Sequence, residues 1–390
     1  MVEETPILLP EPGTLRIGAP PYWRGAPGIA PMTLTFMIAV GLVLLSGIAL
    51  FGWQAARVLA IAVAVTLLME SAFNVLAGRS RSWSQSHALL VGLLFTCTLP
   101  PGVHWRVVVL GSAICVVVGQ VLAGGVGNYM WHPVALGRIL TQILFHREVT
   151  PEGWPILGLG RSFWDNLWPL QPLPPLWRAA ASGLPDGLGA WSVVRPVDHL
   201  RNVLPAGPSG SGAEAVAILV RDTMPPWTDT LSGAIGGAIG ETCVLAIMVA
   251  GLLLIWRGLL RWRMMLGAVA AAGVLAAVLP VHILSEGGAV ASYWLPGVAT
   301  WQGLPVGLVY VCYHLTAGEF PLVVLLLAPD PSSSPLTLRG HLVFGLIIGA
   351  VTMLLRVGVG IPASAYWALL AANTLVPVVN CWTRRQVLGT

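Results

Sequence analysis

Two carboxylates stand where this chain has least reason to carry charge. Glu70 lies deep in the apolar run Ile61–Leu76 with no cation near it in sequence, and Glu241 closes the glycine-rich stretch Gly233–Thr242. An ionisable group at membrane depth costs about 2.5 kcal/mol or more, so it usually marks a site. For Glu70 that points to a cation or proton role, and the competing role is a pairing with an Arg or backbone group of another helix. For Glu241, the glycines let backbones pack closely or a ligand approach. A carboxylate just inside a helix start also suits the positive end of the dipole, so capping its own helix is an equal alternative.

A second break is Gly124-Gly125-Val126-Gly127-Asn128-Tyr129-Met130-Trp131-His132-Pro133. Its glycines, Asn128, His132 and aromatics could line a ring-shaped ligand, whereas the plainer reading is a tight interhelical turn. It lacks the pattern of a phosphate loop. Ser209-Gly210-Ser211-Gly212-Ala213-Glu214 reads by composition as a flexible linker. The five cysteines are scattered singly and no C-x-x-C occurs, so a zinc or four-Cys iron–sulfur site held by this chain alone is not expected. The eight histidines show no helix-face metal spacing either.

The elements that must position these groups are apolar. Hydrophobic residues make up 56% of the chain and charged ones 9%, which selects a polytopic α-helical membrane protein. Lipid cannot hydrogen-bond bare backbone, so charge-free runs such as Met32–Phe51 must be helices. Candidate spans are 32–51, 58–77, 87–100, 107–124, 134–146, 235–255, 264–284, 305–328, 341–356 and 363–380, about ten in all. The 305–328 span contains Glu319-Phe320-Pro321 and should be broken. The first ~30 residues have Glu3, Glu4, Glu11 and several prolines, unlike a cleavable signal sequence.

Every one of the 20 cationic residues is Arg. Arg16, Arg24, Arg79, Arg81, Arg257, Arg261, Arg263, Arg339, Arg384 and Arg385 all fall inside if the N-terminus is cytoplasmic and the spans alternate, with Arg57, Arg106 and Arg147 as exceptions. No basic run suggests nucleic-acid binding. The expected organisation is a cytoplasmic segment 1–31, a first five-helix repeat 32–146, an external segment 147–230, a second repeat 231–382 and a cytoplasmic tail 383–390. The external segment is rich in Pro and Trp (Trp154, Trp164, Trp168, Trp177, Trp191, Trp227) and reads as loops and short interfacial helices. Two five-helix halves of opposite topology would be inverted repeats, which place sites between broken helices at the midplane. Arg106 leads to Gly125-Val126-Gly127 at the same spacing as Arg339 to Gly358-Val359-Gly360, a faint internal echo of such a repeat.

Together these pieces resemble the RnfD/NqrB family: the RnfD membrane component of the Rnf electron-transport complex and its NqrB counterpart in the sodium-translocating NADH:quinone reductase. The resemblance rests on Gly124–Asn128 with His132–Arg138, on Gly236–Thr242 with Trp256-Arg257 and Arg261–Arg263, on Ala328–Pro331 with Ser334-Pro335, and on Asn373–Pro377 with Arg384-Arg385. It implies ten helices in inverted repeats, flavin-mediated electron transfer coupled to Na⁺ or H⁺ movement, and a multi-subunit assembly in a bacterial inner membrane with iron–sulfur centres on other chains. The partners implied are other membrane and peripheral subunits, the bilayer and quinone. The cofactor residues implied are Gly125, Gly127, Asn128 and His132, with Ser211, Gly212, Ala213 and Glu214, and the ion-path candidates are Glu70, Glu241 and Asp330.

The departures bear on the cofactor. The family links FMN through a phosphoester to the Thr of S-G-A-T, and Glu214 stands at that place. A carboxylate cannot carry that ester, so FMN or riboflavin is expected to be noncovalent. His132 replaces an Asn of the family, Gln120 a frequent Lys, and Pro329 the Thr of its ATDP. The expected function is a membrane subunit of an Rnf/Nqr-like ion-translocating complex, with no turnover by itself. The rival is a stand-alone solute or ion transporter or channel on the same scaffold.

Overall fold

A computed structural model describes residues 29–76, 78, 82–125, 127–150, 154–156, 191–193, 195–201, 204–205, 211–284 and 290–383. The expectations for most of segment 1–31, the tail, much of 147–230, and Arg16, Arg24, Arg79, Arg81, Arg384 and Arg385 lie outside the described residues.

The chain is mostly helical. Helices α1 (Ile29–Phe51), α2 (Trp53–Leu76), α3 (Ser82–Cys97), α4 (Trp105–Val116) and α5 (Pro133–Leu144) come first. The short helices α6 (His146–Val149), α7 (Pro196–Arg201), α8 (Gly212–Ile218) and α9 (Trp227–Ser232) follow, then α10 (Val244–Trp256), α11 (Trp262–Val278), α12 (Val306–Thr316), α13 (Glu319–Leu322), α14 (Leu338–Met353) and α15 (Ser364–Thr383). Among the described residues, three helical stretches can cross a membrane by length and composition: Pro31–Phe51, Trp53–Leu76 and Leu338–Val359. The bent pair Val306–Thr316 and Glu319–Leu327, at 51°, makes up to four, and five more apolar helices are shorter. The run 305–328 is therefore broken where Gly318 takes φ 75°, a backbone angle that glycine tolerates.

Packing explains why several runs are short or interrupted. The 235–255 run is not helical from its start: α10 begins at Val244. Before it, Ile239 N–H donates to Leu99 O at 3.0 Å and Gly240 N–H to Cys97 O at 2.9 Å. A Cβ on Gly240 would sit 2.4 Å from Cys97 Cβ, so the backbone pairing requires glycine there. Likewise α11 and α14 touch through small residues. A Cβ on Gly345 would meet Met264 O at 2.0 Å, and one on Gly349 would meet Ala268 O at 2.2 Å. This is close small-residue packing of the kind that drives helix association in lipid.

Among the described residues, five short strands depart from the all-helical expectation. β1 (Trp154–Ile156) pairs antiparallel with β2 (Trp191–Val193). β3 (Leu204–Pro205) pairs parallel with β4 (Val281–Leu284), which pairs antiparallel with β5 (Val290–Tyr293). The run expected to span 264–284 thus ends as helix at Val278 and continues as strand. π-helical turns end four helices, at Val117–Val121 after α4, Leu219–Thr223 after α8, Val323–Leu327 after α13 and Leu354–Val359 after α14. Such turns are frequent at functional sites.

Candidate functional site

Helix α5 connects two polar regions. Its twelve residues rise about 18 Å. Pro133 opens it at N1, where a missing N–H costs nothing. Its start faces a cavity and Arg138, near its middle, enters a buried network of charges.

The cavity has a volume of about 340 Å³, the scale of a small-ligand pocket. Met32 and Phe36 of α1, Leu90, Val91 and Leu94 of α3, and Leu326 supply apolar wall. Its titratable lining is His87, Tyr129, His132 and Asp330. His87 Nε2 lies 3.0 Å from Tyr129 Oη. Gln120 Nε2, in the π turn after α4, donates to His87 Nδ1. Ser333 Oγ donates to Asp330 Oδ2 at 3.1 Å. Asp330 is in the connection between α13 and α14, where burial pushes its carboxyl up to about 6 against the hydrogen bond from Ser333. Asn373 of α15 ties the two loops together: its amide accepts from His132 N–H at 2.9 Å and donates to Ser333 O at 3.1 Å in the orientation that satisfies both.

The charge network gathers three arginines and three carboxylates from distant segments. Arg195 Nε donates to Asp198 Oδ2 at 2.9 Å, and its Nη1 stands 3.7 Å from Glu241 Oε2. Glu241 Oε1 accepts from Tyr366 Oη at 2.7 Å. Arg138 lies 5.7 Å from the Tyr366 ring centre and donates to Thr98 O at 3.0 Å and Gln142 Oε1 at 3.0 Å. Arg356 donates to Glu319 Oε1 at 3.1 Å and to His314 O at 2.9 Å. Ser364 Oγ donates to the same Glu319 oxygen at 3.1 Å. Ala363, just before it, is held at φ 59°, an unfavourable angle for a residue with a Cβ. Arg138 and Arg356 are 1% exposed. Charges buried so deeply persist only when paired. The far oxygens Glu241 Oε2 and Glu319 Oε2 and both ring nitrogens of His314 have no hydrogen-bond partner among the described residues.

Against the sequence expectations the result divides. Gly127, His132 and Asp330 meet at one cavity. Asn128 is nearby in sequence but exposed, and its amide donates to Gly124 O at 3.4 Å. Gly125 caps the π turn, its N–H donating to Gln120 O at 2.8 Å. Ser211, Gly212, Ala213 and Glu214 belong to another packing group: α8 packs on α12 and the β3-β4-β5 sheet. There Ser211 Oγ accepts from Glu214 N–H at 3.2 Å as an N-cap, and Gly212 lies against Tyr293. Ser211, Gly212, Ala213 and Glu214 are not among the residues that line the cavity.

Glu241 precedes α10 and does not cap it; its carboxylate crosses to Tyr366 and Arg195. Glu70 is 6% exposed and accepts from Asn74 Nδ2 at 3.5 Å. Among the described residues no arginine pairs with it. Sequence reasoning passed over Arg138, Arg195, Glu319, Arg356 and Tyr366. Two of them carried the signal that singled out Glu70, since Arg138 and Arg356 also stand within apolar runs.

The family model described as NQR2, RnfD, RnfE family matches residues 16–389. A D-type component of an ion-translocating oxidoreductase complex from Stutzerimonas stutzeri is 30% identical over 347 residues, covering 88% of this chain and 87% of the relative. Proteins of the same name from Yersinia enterocolitica and Erwinia tasmaniensis are 28% and 27% identical. They cover 92% and 96% of this chain, and 94% and 98% of those relatives.

Proposed function

Because the chain belongs to the NQR2, RnfD, RnfE family, we propose that it is the D-type membrane subunit of an Rnf-like ion-translocating oxidoreductase complex. The carrying observation is likeness along nearly the whole chain to relatives named as that component. A stand-alone transporter has no comparable support. The partners are the other membrane and peripheral subunits of the complex, and the setting is a bacterial inner membrane with both termini cytoplasmic. Ten spans in two inverted halves remain the reading of the fold. In support, the fourth helix of each half, α4 and α14, ends in a π turn followed by glycine at positive φ, at Gly124 and Gly360. Reporter fusions at Thr390 and near Gly183 test this topology, and an external C-terminus refutes it.

Within that subunit the cavity is the place for a noncovalent flavin. Its apolar walls suit an isoalloxazine ring, and the buried His132 Nδ1, which has no hydrogen-bond partner among the described residues, is available to the ring's polar edge. The flavin supplies one-electron chemistry when bound. This chain's residues hold it: Leu90, Val91 and Leu94 exclude water, and Tyr129 and His132 orient polar atoms. The charge network and Glu70 are candidates for the ion path. The test is extraction of flavin from the intact purified complex before and after Leu94→Trp, which fills the cavity. We expect about one noncovalent flavin assigned to this chain to be lost in the assembled variant. Unchanged flavin content in that assembled variant refutes the assignment.

A further inference from the structure

The three arginines of the charge network are not held alike. Arg138 belongs to α5 and Arg356 to the π turn after α14, whereas Arg195 stands just before the six-residue α7. Arg195 and Asp198 are joined by two hydrogen bonds, at 2.9 and 3.2 Å, and so form a unit with no net charge. The seam between this unit and the network is loose. Arg195 Nη1 is 3.7 Å from Glu241 Oε2, too long for a hydrogen bond, and that oxygen has no such partner among the described residues. A small cavity of about 10 Å³, room for about one water, is lined by Arg195, Val197 and Asp198 together with Glu319 and Arg356. Glu319 Oε2 also has no hydrogen-bond partner among the described residues. Buried acceptors without partners are rare and need a physical reason. A seam that must part supplies one, because strong bonds across it would keep it shut. The unit also covers two breaks in the backbone. A Cβ on Gly318 would stand 3.0 Å from Val197 Cβ, and Ala363, held at φ 59°, lines the small cavity.

We propose that α7, with Arg195 and Asp198, is a removable plug whose guanidinium competes with the transported cation for Glu241. The proposal rests on the reading of the charge network as an ion path. With the plug seated, Arg195 stands beside Glu241 where a cation would stand. Withdrawn as a neutral unit, the plug takes Arg195 with it and leaves Asp198 paired. Glu241 then retains the Tyr366 hydroxyl at 2.7 Å. Arg138 does not take over, because its guanidinium donates to Thr98 O, Gln142 Oε1 and Val149 O, none of them a carboxylate. Glu241 therefore needs a new counter-charge, which Na⁺ or a proton supplies. Glu319 keeps Arg356 at 3.1 Å with the plug in or out, so the cation is drawn to Glu241. Plug and cation exclude each other, and this ties opening of the path to occupancy of the site.

The experiment uses the intact complex in lipid nanodiscs, with Val197→Cys as a reporter that is buried against Gly318 while the plug is seated. A hydrophilic maleimide is added, and modification of the peptide holding residue 197 is timed by mass spectrometry. Rates are divided by that of free cysteine at the same pH. A cation that binds only the open state must populate it. We expect labelling to accelerate with NaCl or with acidity but not with choline chloride, and the two titrations identify which cation acts. Adding Glu241→Gln should abolish that dependence. Adding Arg195→Met should raise the rate in choline by about 100-fold, because Asp198 is left buried without its arginine. Should Arg195→Met not assemble, the cation dependence of the reporter decides alone. Labelling that responds to neither cation overturns the plug, as does an assembled Arg195→Met complex that labels at the parent rate. Ion pumping by the wild-type complex is measured in proteoliposomes. If it moves no ion, the reading of the ion path fails and the competition falls with it, even where labelling shows that α7 opens.

Discussion

Glu319→Gln is the sharpest test of the buried network. The Glu319 and Arg356 side chains are 2% and 1% exposed and meet at 3.1 Å. With an effective dielectric of about 20, their attraction at that distance is about 5 kcal/mol. Desolvation consumes much of it, so the net worth of the pair is small. Removing one partner is different, because Arg356 is left buried with its charge uncompensated, at about 3–5 kcal/mol. Membrane subunits unfold irreversibly as a rule, so the readout is the unfolding half-life in lipid nanodiscs. A loss of about 3 kcal/mol borne by the native state shortens that half-life by about 150-fold. Arg356→Met should behave alike, and the double variant should recover at least about 2 kcal/mol of the summed loss. If the two losses simply add within about 0.5 kcal/mol, the pair is not coupled and the reasoning fails.

Glu70→Gln should leave the protein inserted and the complex assembled while altering ion transported per electron; unchanged electron transfer and unchanged ion pumping make Glu70 structural. The denatured chain on a gel should show no flavin fluorescence, because Glu214 has no hydroxyl for a phosphoester and Ser211 Oγ caps α8. A fluorescent band with FMN mass on a Ser211 peptide refutes this. The Asp330 carboxyl is raised to about 6 in the folded chain, so its charging opposes folding. Wild type should therefore lose stability relative to Asp330→Asn as pH rises from about 4 to about 6 and level off above that, and parallel thermal-melting curves across that window refute the assignment.

Much of the architecture is legible in the residues. Charge-free runs announce the helices, and Glu319-Phe320-Pro321 announces the break that appears at Gly318. Gly124–Pro133 is visible as a turn because glycine and aromatics cluster there, and four of its residues line the cavity. The network is not legible, for two reasons. Its pairs are distant in sequence: Glu241 meets Tyr366 across 125 positions, and only packing brings them together. Its arginines also have no place in the orientation argument, which weighs the arginines that flank the spans, so their depth escapes notice. The charge penalty that marks Glu70 applies equally to Arg138 and Arg356, and that symmetry is the signal to use. The strands were hidden because β3 has two residues, one of them proline, too short for any alternation to appear.

The brevity of α5 has an electrical meaning. Bilayer hydrocarbon is about 30 Å thick, yet Pro133 at the cavity and Arg138 in the network stand only five residues apart on this helix, a rise of about 7.5 Å. If water reaches both the cavity and the network, the membrane voltage falls across the shorter distance. An elementary charge that crosses the whole drop exchanges about 2.3 kcal/mol per 100 mV with the field. A proton or cation moved only along α5 would then be driven, or opposed, by nearly the full voltage without travelling the full thickness of the bilayer.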